Sequence, residues 1–265
     1  MTFAQLTVAE LNTRVVAIAM AWFGLLLGSF ATVVIYRLPA NEQIVKGRSH
    51  CSTCKATLGF IDLIPVVSWL IFRGRCRHCR AQVSFVYPLT EIAAASIASI
   101  AVFQHGASLA SITLGVSCIG LATTACIDAQ TRRLPNRAII SVLVIEIIGF
   151  VLSAAIDDHW SSLWRALIVA ALSLGIALLI YIVTRGGLGE GDVKFAPVVW
   201  MPLGWLGWGS AFAGYLVAAV IAVCWAMAVG ISQRKFRKVS IPLGPALALG
   251  AIVTILTNFS WPPGS

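Results

Sequence analysis

Charge is what this chain has least of. Of its 265 residues only 11% are charged, and only ten are acidic. A soluble domain carries about a quarter of its residues as charges, so a water-soluble globular protein is excluded. No internal repeat, low-complexity tract or long linker stands out along the chain. No basic segment precedes the first apolar run and no small-residue cleavage site follows it. That run therefore reads as a retained helix, not a removed signal peptide. What is plentiful is apolar: 59% of residues are hydrophobic and the mean hydropathy is +0.91. The composition is that of a polytopic membrane protein, whose length goes into spans instead of a water-soluble core.

Eight hydrophobic passes are expected: Val15–Tyr36, Val86–Gln104, Ser108–Ile127, Ala138–Ile156, Trp160–Thr184, Phe195–Leu203, Gly209–Ile231 and Ile241–Thr257. The fold class is thus all-α, about eight transmembrane helices. The sixth pass is too short by itself; it starts nearer Gly191 or is a broken, re-entrant helix. With this topology 17 of the 19 Lys and Arg residues fall on one side, and only Arg14 and Arg165 fall opposite. The positive-inside rule makes the crowded side cytoplasmic and puts both termini outside. The net charge of +9 is then loop charge that sets topology and meets anionic membrane lipids, with no role for nucleic acid. Gly28-Ser29 within the first pass reads as a close helix contact.

Three parts follow along the chain: 1–36 as a first transmembrane helix, 37–85 as the only sizeable polar insertion, and 86–265 as a membrane bundle with short loops. Within the insertion, Ile61–Phe72 is apolar but about half the length needed to cross hydrocarbon. It packs on the insertion's own core or lies at the membrane surface. Cys51-Ser52-Thr53-Cys54 and Cys76-Arg77-His78-Cys79 are two CxxC pairs separated by 21 residues. Two such turns complete a closed tetrahedral site for structural zinc. The competing reading, two disulfides, conflicts with a cytoplasmic location, where thiols stay reduced. Cys118, Cys126 and Cys224 lie in passes, where cysteine behaves as a small hydrophobe.

Two acids invite a chemical reading. Asp192 stands in Gly189-Glu190-Gly191-Asp192-Val193-Lys194 at the mouth of a membrane helix. Asp128 closes the apolar run Leu114–Ile127 and precedes Arg132-Arg133-Leu134-Pro135-Asn136. Ionisable groups at such depth are rare and mark functional sites. Two carboxylates sharing a site keep one proton between them, so one deprotonates water while the other protonates a scissile carbonyl. Gly189 and Gly191, lacking Cβ atoms, let a substrate backbone approach, and Lys194 completes the active-site loop. The plain alternative is that each aspartate ends a helix or pairs with Arg132, Arg133 or Lys194. Glu91 and Glu146 also lie within passes. Glu91 reaches the interface or lines a second site, and Glu146 is paired here with Arg165.

With these residues in place, the chain resembles the bacterial type IV prepilin peptidases. The likeness runs through Gly28-Ser29-Phe30, Tyr36-Arg37-Leu38-Pro39, both CxxC pairs, Ile64-Pro65-Val66-Val67-Ser68-Trp69-Leu70 and Gly74-Arg75. It continues in Tyr87-Pro88-Leu89-Thr90-Glu91, Asp128 with Leu134-Pro135-Asn136, Gly189 to Lys194, and Pro242-Leu243-Gly244-Pro245. The Gly-x-Gly-Asp element is also similar to that of presenilin-type intramembrane proteases. The resemblance implies that Asp128 and Asp192 are catalytic aspartates. It implies cleavage of prepilin or pseudopilin leaders after a glycine, at the cytoplasmic face of a bacterial inner membrane. It further implies methylation of the new N-terminus from S-adenosylmethionine, with Cys51, Cys54, Cys76 and Cys79 as zinc ligands. Ser52 and Lys55 depart from the proline and glycine common in relatives. No motif assigns methyl-donor contacts. Two other function classes compete: a transporter in which the aspartates relay ions, weakened by the missing inverted repeat, and a zinc-stabilised scaffold without chemistry.

Overall fold

The computed structural model describes residues 3–40, 42–44, 48–233 and 242–261. Lys46, the basic residues of 234–238 and the Ile241 start of the last expected pass lie outside the described residues. The protein is all-helical. The helices are α1 Phe3–Arg37, α2 Val67–Ile71, α3 Val86–His105, α4 Leu109–Thr131, α5 Asn136–Asp157, α6 Trp160–Val183, α7 Glu190–Leu206, α8 Trp208–Gln233 and α9 Gly244–Thr257, with one 3₁₀ turn at Ile61–Leu63. Six of them, α1, α3, α4, α5, α6 and α8, are long and apolar enough to cross a membrane. The chain is a multi-pass membrane protein. The expected count of eight is not confirmed among the described residues, where α7 and α9 have 17 and 14 residues. At 1.5 Å per residue they fall short of a hydrocarbon core of about 30 Å.

Short helices are tolerated here because of where they lie. α7 packs against α6, α8, α9 and α5, and Phe195, Val198, Val199, Trp200 and Leu203 are all buried. A helix apolar all round belongs inside a bundle, where neighbouring helices and not lipid set its length. The sixth segment is accordingly one continuous helix, not a broken one, although Pro197 and Pro202 lie within it.

Small residues bring the helices together, as expected where lipid offers no hydrophobic drive for association. A Cβ on Gly24 would stand 2.7 Å from the Ala94 carbonyl oxygen, and one on Gly28 would stand 2.6 Å from the Glu91 Cα. The Gly28-Ser29 contact expected from the sequence is this α1–α3 seam.

Glu146 does not pair with Arg165. Arg165 donates from Nε to the Gly204 carbonyl at 2.8 Å and from Nη2 to the Trp205 carbonyl at 2.7 Å. These are last-turn carbonyls of α7, without helical partners and at the negative end of the helix dipole, so a guanidinium is the suitable cap. Glu146 is fully buried without a hydrogen-bond partner among the described residues, and so are the Ser117 and Ser153 hydroxyls.

Candidate active site

Each candidate aspartate sits at a helix end. Asp128 occupies the last turn of α4, and its carbonyl accepts the Arg132 N–H at 2.7 Å as Arg132 takes a left-handed conformation (φ 52°) and stops the helix. Pro135 then fixes an extended residue and α5 begins at Asn136. Thus the polar run after Asp128 ends one helix and starts the next. On the other side Gly189 caps α7, and Glu190 and Asp192 fall in its first turn, where the helix dipole favours acids.

Packing joins the two ends. A Cβ on Gly191 would lie 2.9 Å from the Leu134 Cβ, so the α7 entrance rests on the loop that follows Asp128. The charge of Asp128 reaches Asp192. Asp128 is only 5% exposed, and Asp192 is half-buried. No Lys or Arg among the described residues pairs with either carboxylate, which removes the reading of Asp128 and Asp192 as ordinary ion-pair partners. Lys194 is exposed.

The sequence reading missed one participant. A Cβ on Gly244 would lie 2.6 Å from the Asp128 Oδ2, so the N-terminus of α9 forms a third wall of the site. Its signal was present in Pro242-Leu243-Gly244-Pro245, a glycine between prolines at a helix start. Gly189 plays a looser version of the same part, with its virtual Cβ 3.0 Å from the Asp192 Oδ2. The arrangement offers two carboxylates with no counter-charge among the described residues, each approached closely by a glycine. That is sufficient for acid–base chemistry on a bound backbone.

The second cluster lies in the insertion between α1 and α3. The Sγ atoms of Cys51, Cys54, Cys76 and Cys79 all lie within 4.8 Å of one another, and those of Cys51 and Cys79 are 3.9 Å apart. A tetrahedral zinc–thiolate site places its sulfurs about 3.8 Å apart, so the four thiols fit a metal ion. The backbone N–H groups of Cys54 and Thr53 lower the Cys51 thiol from its ordinary value, which favours the thiolate form that binds metal.

The two knuckles are the same device used twice. Cys51 and Cys76 donate their N–H groups to Ala56 and Ala81 at 2.9 and 2.8 Å, and accept from Lys55 and Arg80 at 3.0 Å each. Lys55 and Arg80 both take left-handed conformations, φ 58° and 60°. Paired bridges His50–Thr57 and Arg75–Gln82 close both turns. The signal is the hexapeptide Cys-x-x-Cys-(Lys/Arg)-Ala, too short to register as a repeat.

Within the apolar stretch of the insertion, part packs against neighbouring residues and part stays exposed. Trp69 stacks edge-on against Phe85 and donates to the Val83 carbonyl at 3.1 Å, under the second knuckle. Phe60, Leu70 and Ile71 instead stay exposed. Glu91 is buried and its Oε2 accepts the Val66 N–H at 2.6 Å, tying the insertion to α3.

Comparison with known proteins divides the chain at the loop after α3. The Bacterial Peptidase A24 N-terminal domain matches residues 8–105, and the Type IV leader peptidase family matches residues 115–231. A Prepilin leader peptidase/N-methyltransferase of Bacillus subtilis is 31% identical over 234 residues, covering 88% of this chain and 91% of the relative. A protein of the same name from Neisseria gonorrhoeae is 30% identical, covering 91% and 90%. A Type 4 prepilin-like proteins leader peptide-processing enzyme of Escherichia coli is 29% identical, covering 88% and 90%. No solved structure matches the chain.

Proposed function

The chain belongs to the type IV leader peptidase family, and from that premise we propose that it removes the leaders of prepilins and pseudopilins with Asp128 and Asp192, then N-methylates the new terminus. The observation that carries the first step is that the helix ends bearing Asp128 and Asp192 pack together through Leu134 and Gly191, with no Lys or Arg among the described residues paired to either carboxylate. The ionised carboxylate takes a proton from water as the water oxygen attacks the scissile carbonyl. The protonated carboxyl gives its proton to the carbonyl oxygen. As the tetrahedral adduct collapses, the C–N bond breaks with its electron pair going to nitrogen, which takes the proton that the first carboxylate had collected. Gly189, Gly191 and Gly244 leave the substrate backbone room to reach the pair. Lys194, exposed at the rim, meets the anionic headgroups or the substrate's approach.

Division of labour follows the three parts of the chain: residues 1–36 anchor, 37–85 form the metal-bound insertion that serves methylation, and 86–265 form the peptidase bundle. Zinc is the metal that four thiolates at this spacing select; held by Cys51, Cys54, Cys76 and Cys79, it leaves no open position and is structural. S-adenosylmethionine supplies the methyl group when bound. The relatives and the loop charge support a bacterial inner-membrane enzyme whose aspartates face the cytoplasm.

The test is cleavage of a purified prepilin in detergent by the wild type and by Asp128→Asn and Asp192→Asn. Each variant should lose activity by about 10⁴-fold with zinc content and helicity retained. Leader removal that survives either substitution would sink the dyad.

A further inference from the structure

The peptidase pair leaves one intramembrane carboxylate near the same membrane face unused. Glu91, on α3, is 7% exposed. Its Oε2 accepts the Val66 N–H at 2.6 Å, and the Ser29 side chain of α1 lies beside it. Val66 is the centre of a tight turn in which the Val67 N–H donates to the Pro65 carbonyl at 2.5 Å. Its backbone stands at φ 60°, ψ −49°, a conformation that costs a β-branched residue on the order of 1–3 kcal/mol. A neutral glutamine would accept that N–H as well as a glutamate does. The charge at this depth exceeds what a structural latch requires.

One helical turn from Glu91 toward the membrane face, Tyr87 lies on the same side of α3, as i and i+4 residues do. Its ring stacks on Tyr36 of α1 with centroids 6.1 Å apart. Both rings are open at the protein surface, 51% exposed for Tyr36 and 40% for Tyr87. A carboxylate behind an accessible aromatic pair is the chemistry that holds an onium cation. The same α1 helix continues to Ile35, which packs with Leu38 on Ile127, the neighbour of Asp128. From Gly28 to Ile35 the helix rises only about 10 Å. This cluster and the aspartate pair therefore border one short stretch of α1.

We propose that Glu91, Tyr36 and Tyr87 form the cation subsite of the methyl-transfer step, holding either the donor's sulfonium or the α-ammonium of the cleaved pilin. The inference rests on the methyltransferase reading given above. In the acceptor case Glu91 takes one proton from the α-ammonium. The freed nitrogen attacks the methyl carbon, the N–C bond forms, and the S–C bond breaks with its electron pair left on sulfur. The sulfonium becomes a neutral thioether, the product leaves as a methylammonium, and Glu91 returns its proton to water. In the donor case Glu91 and the two rings balance the sulfonium charge and the proton leaves to solvent.

The experiment uses the full chain in nanodiscs, with Glu91→Gln and Tyr87→Leu beside the wild type. Glutamine keeps an acceptor for Val66, so zinc content and leader cleavage should stay within about threefold of wild type. Methylation of a pre-cleaved pilin should fall about 100-fold. Calorimetric binding separates the two cations. A sulfonium site predicts that Glu91→Gln weakens sinefungin, which carries an amine in place of the sulfonium, about tenfold, while neutral S-adenosylhomocysteine binds as before. An ammonium site predicts unchanged binding of both compounds and a higher KM for pilin. Tyr87→Leu should follow Glu91→Gln with a smaller loss. Methylation by Glu91→Gln within threefold of wild type overturns the proposal, and so does a parallel fall of cleavage, zinc and methylation. A wild type that cleaves but never methylates overturns the methyltransferase reading itself, and the subsite with it.

Discussion

The aspartate pair and the thiol cluster are built by opposite means. The four thiols are aimed by their own backbone: each CxxC turn is closed by hydrogen bonds within six residues, and the turn is written twice. The aspartates are aimed by distant elements. Asp128 comes from α4, Asp192 from α7 and the Gly244 wall from α9, and the site exists only because α7 is enclosed by its neighbours. A local site tolerates change elsewhere and fails when its own residues change. A site assembled from three helices fails when any clearance between them closes.

Breaking the local site should give the largest effect and leave the other site intact. Cys76→Ser, measured by metal content after purification, should drop zinc from about one equivalent to nearly none, while leader cleavage by the bundle stays within about twofold. Stripping the metal with a chelator should do the same. If cleavage collapses together with the metal, the two sites are not independent and the contrast fails. Closing a clearance is the matching test on the other side. Gly244→Ala puts a methyl group 2.6 Å from the Asp128 Oδ2, and kcat for leader cleavage should fall about 100-fold with zinc unaffected. An alanine variant as active as wild type would show that α9 does not shape the pair.

Smaller effects sharpen the picture. Arg165→Met removes two hydrogen bonds from the far end of α7. It should cost about 2 kcal/mol, read as a lower melting temperature, with the thiol cluster unchanged. Lys55→Gly relieves the left-handed strain of the first knuckle (φ 58°). It should stabilise the insertion by about 1 kcal/mol, seen as slower metal loss to a chelator and no change in cleavage.

The same contrast explains what was legible in the sequence. Helices declare themselves by runs of apolar residues, and thiol turns by two cysteines three apart, because both signals are local. The two aspartates were visible as charges where charges are costly. Their third wall was legible only as a glycine between prolines at a helix start, since nothing near Gly244 in the chain mentions Asp128. Arg165 went to the wrong partner because a carboxylate is the obvious attraction for a guanidinium, whereas two orphaned carbonyls become visible only once α7 has an end. The sixth pass was doubted for its length, a criterion set by lipid. The helix starts at Glu190, close to the Gly191 start that the sequence offered, and its surroundings are other helices. The Val66 turn was invisible for a simpler reason: valine is among the last residues one would place at positive φ.

The two prolines of α7 carry a mechanical consequence. Pro197 and Pro202 offer no N–H to the carbonyls of Val193 and Val198, so the ladder of α7 is missing two rungs, each worth about 1 kcal/mol. Asp192 stands on the N-terminal side of both gaps. The turn that carries it is thus a short stub on a compliant joint, fixed to a rod that the rest of the bundle clamps. Such a joint gives the turn carrying Asp192 more freedom than Asp128 has at the end of the unbroken α4.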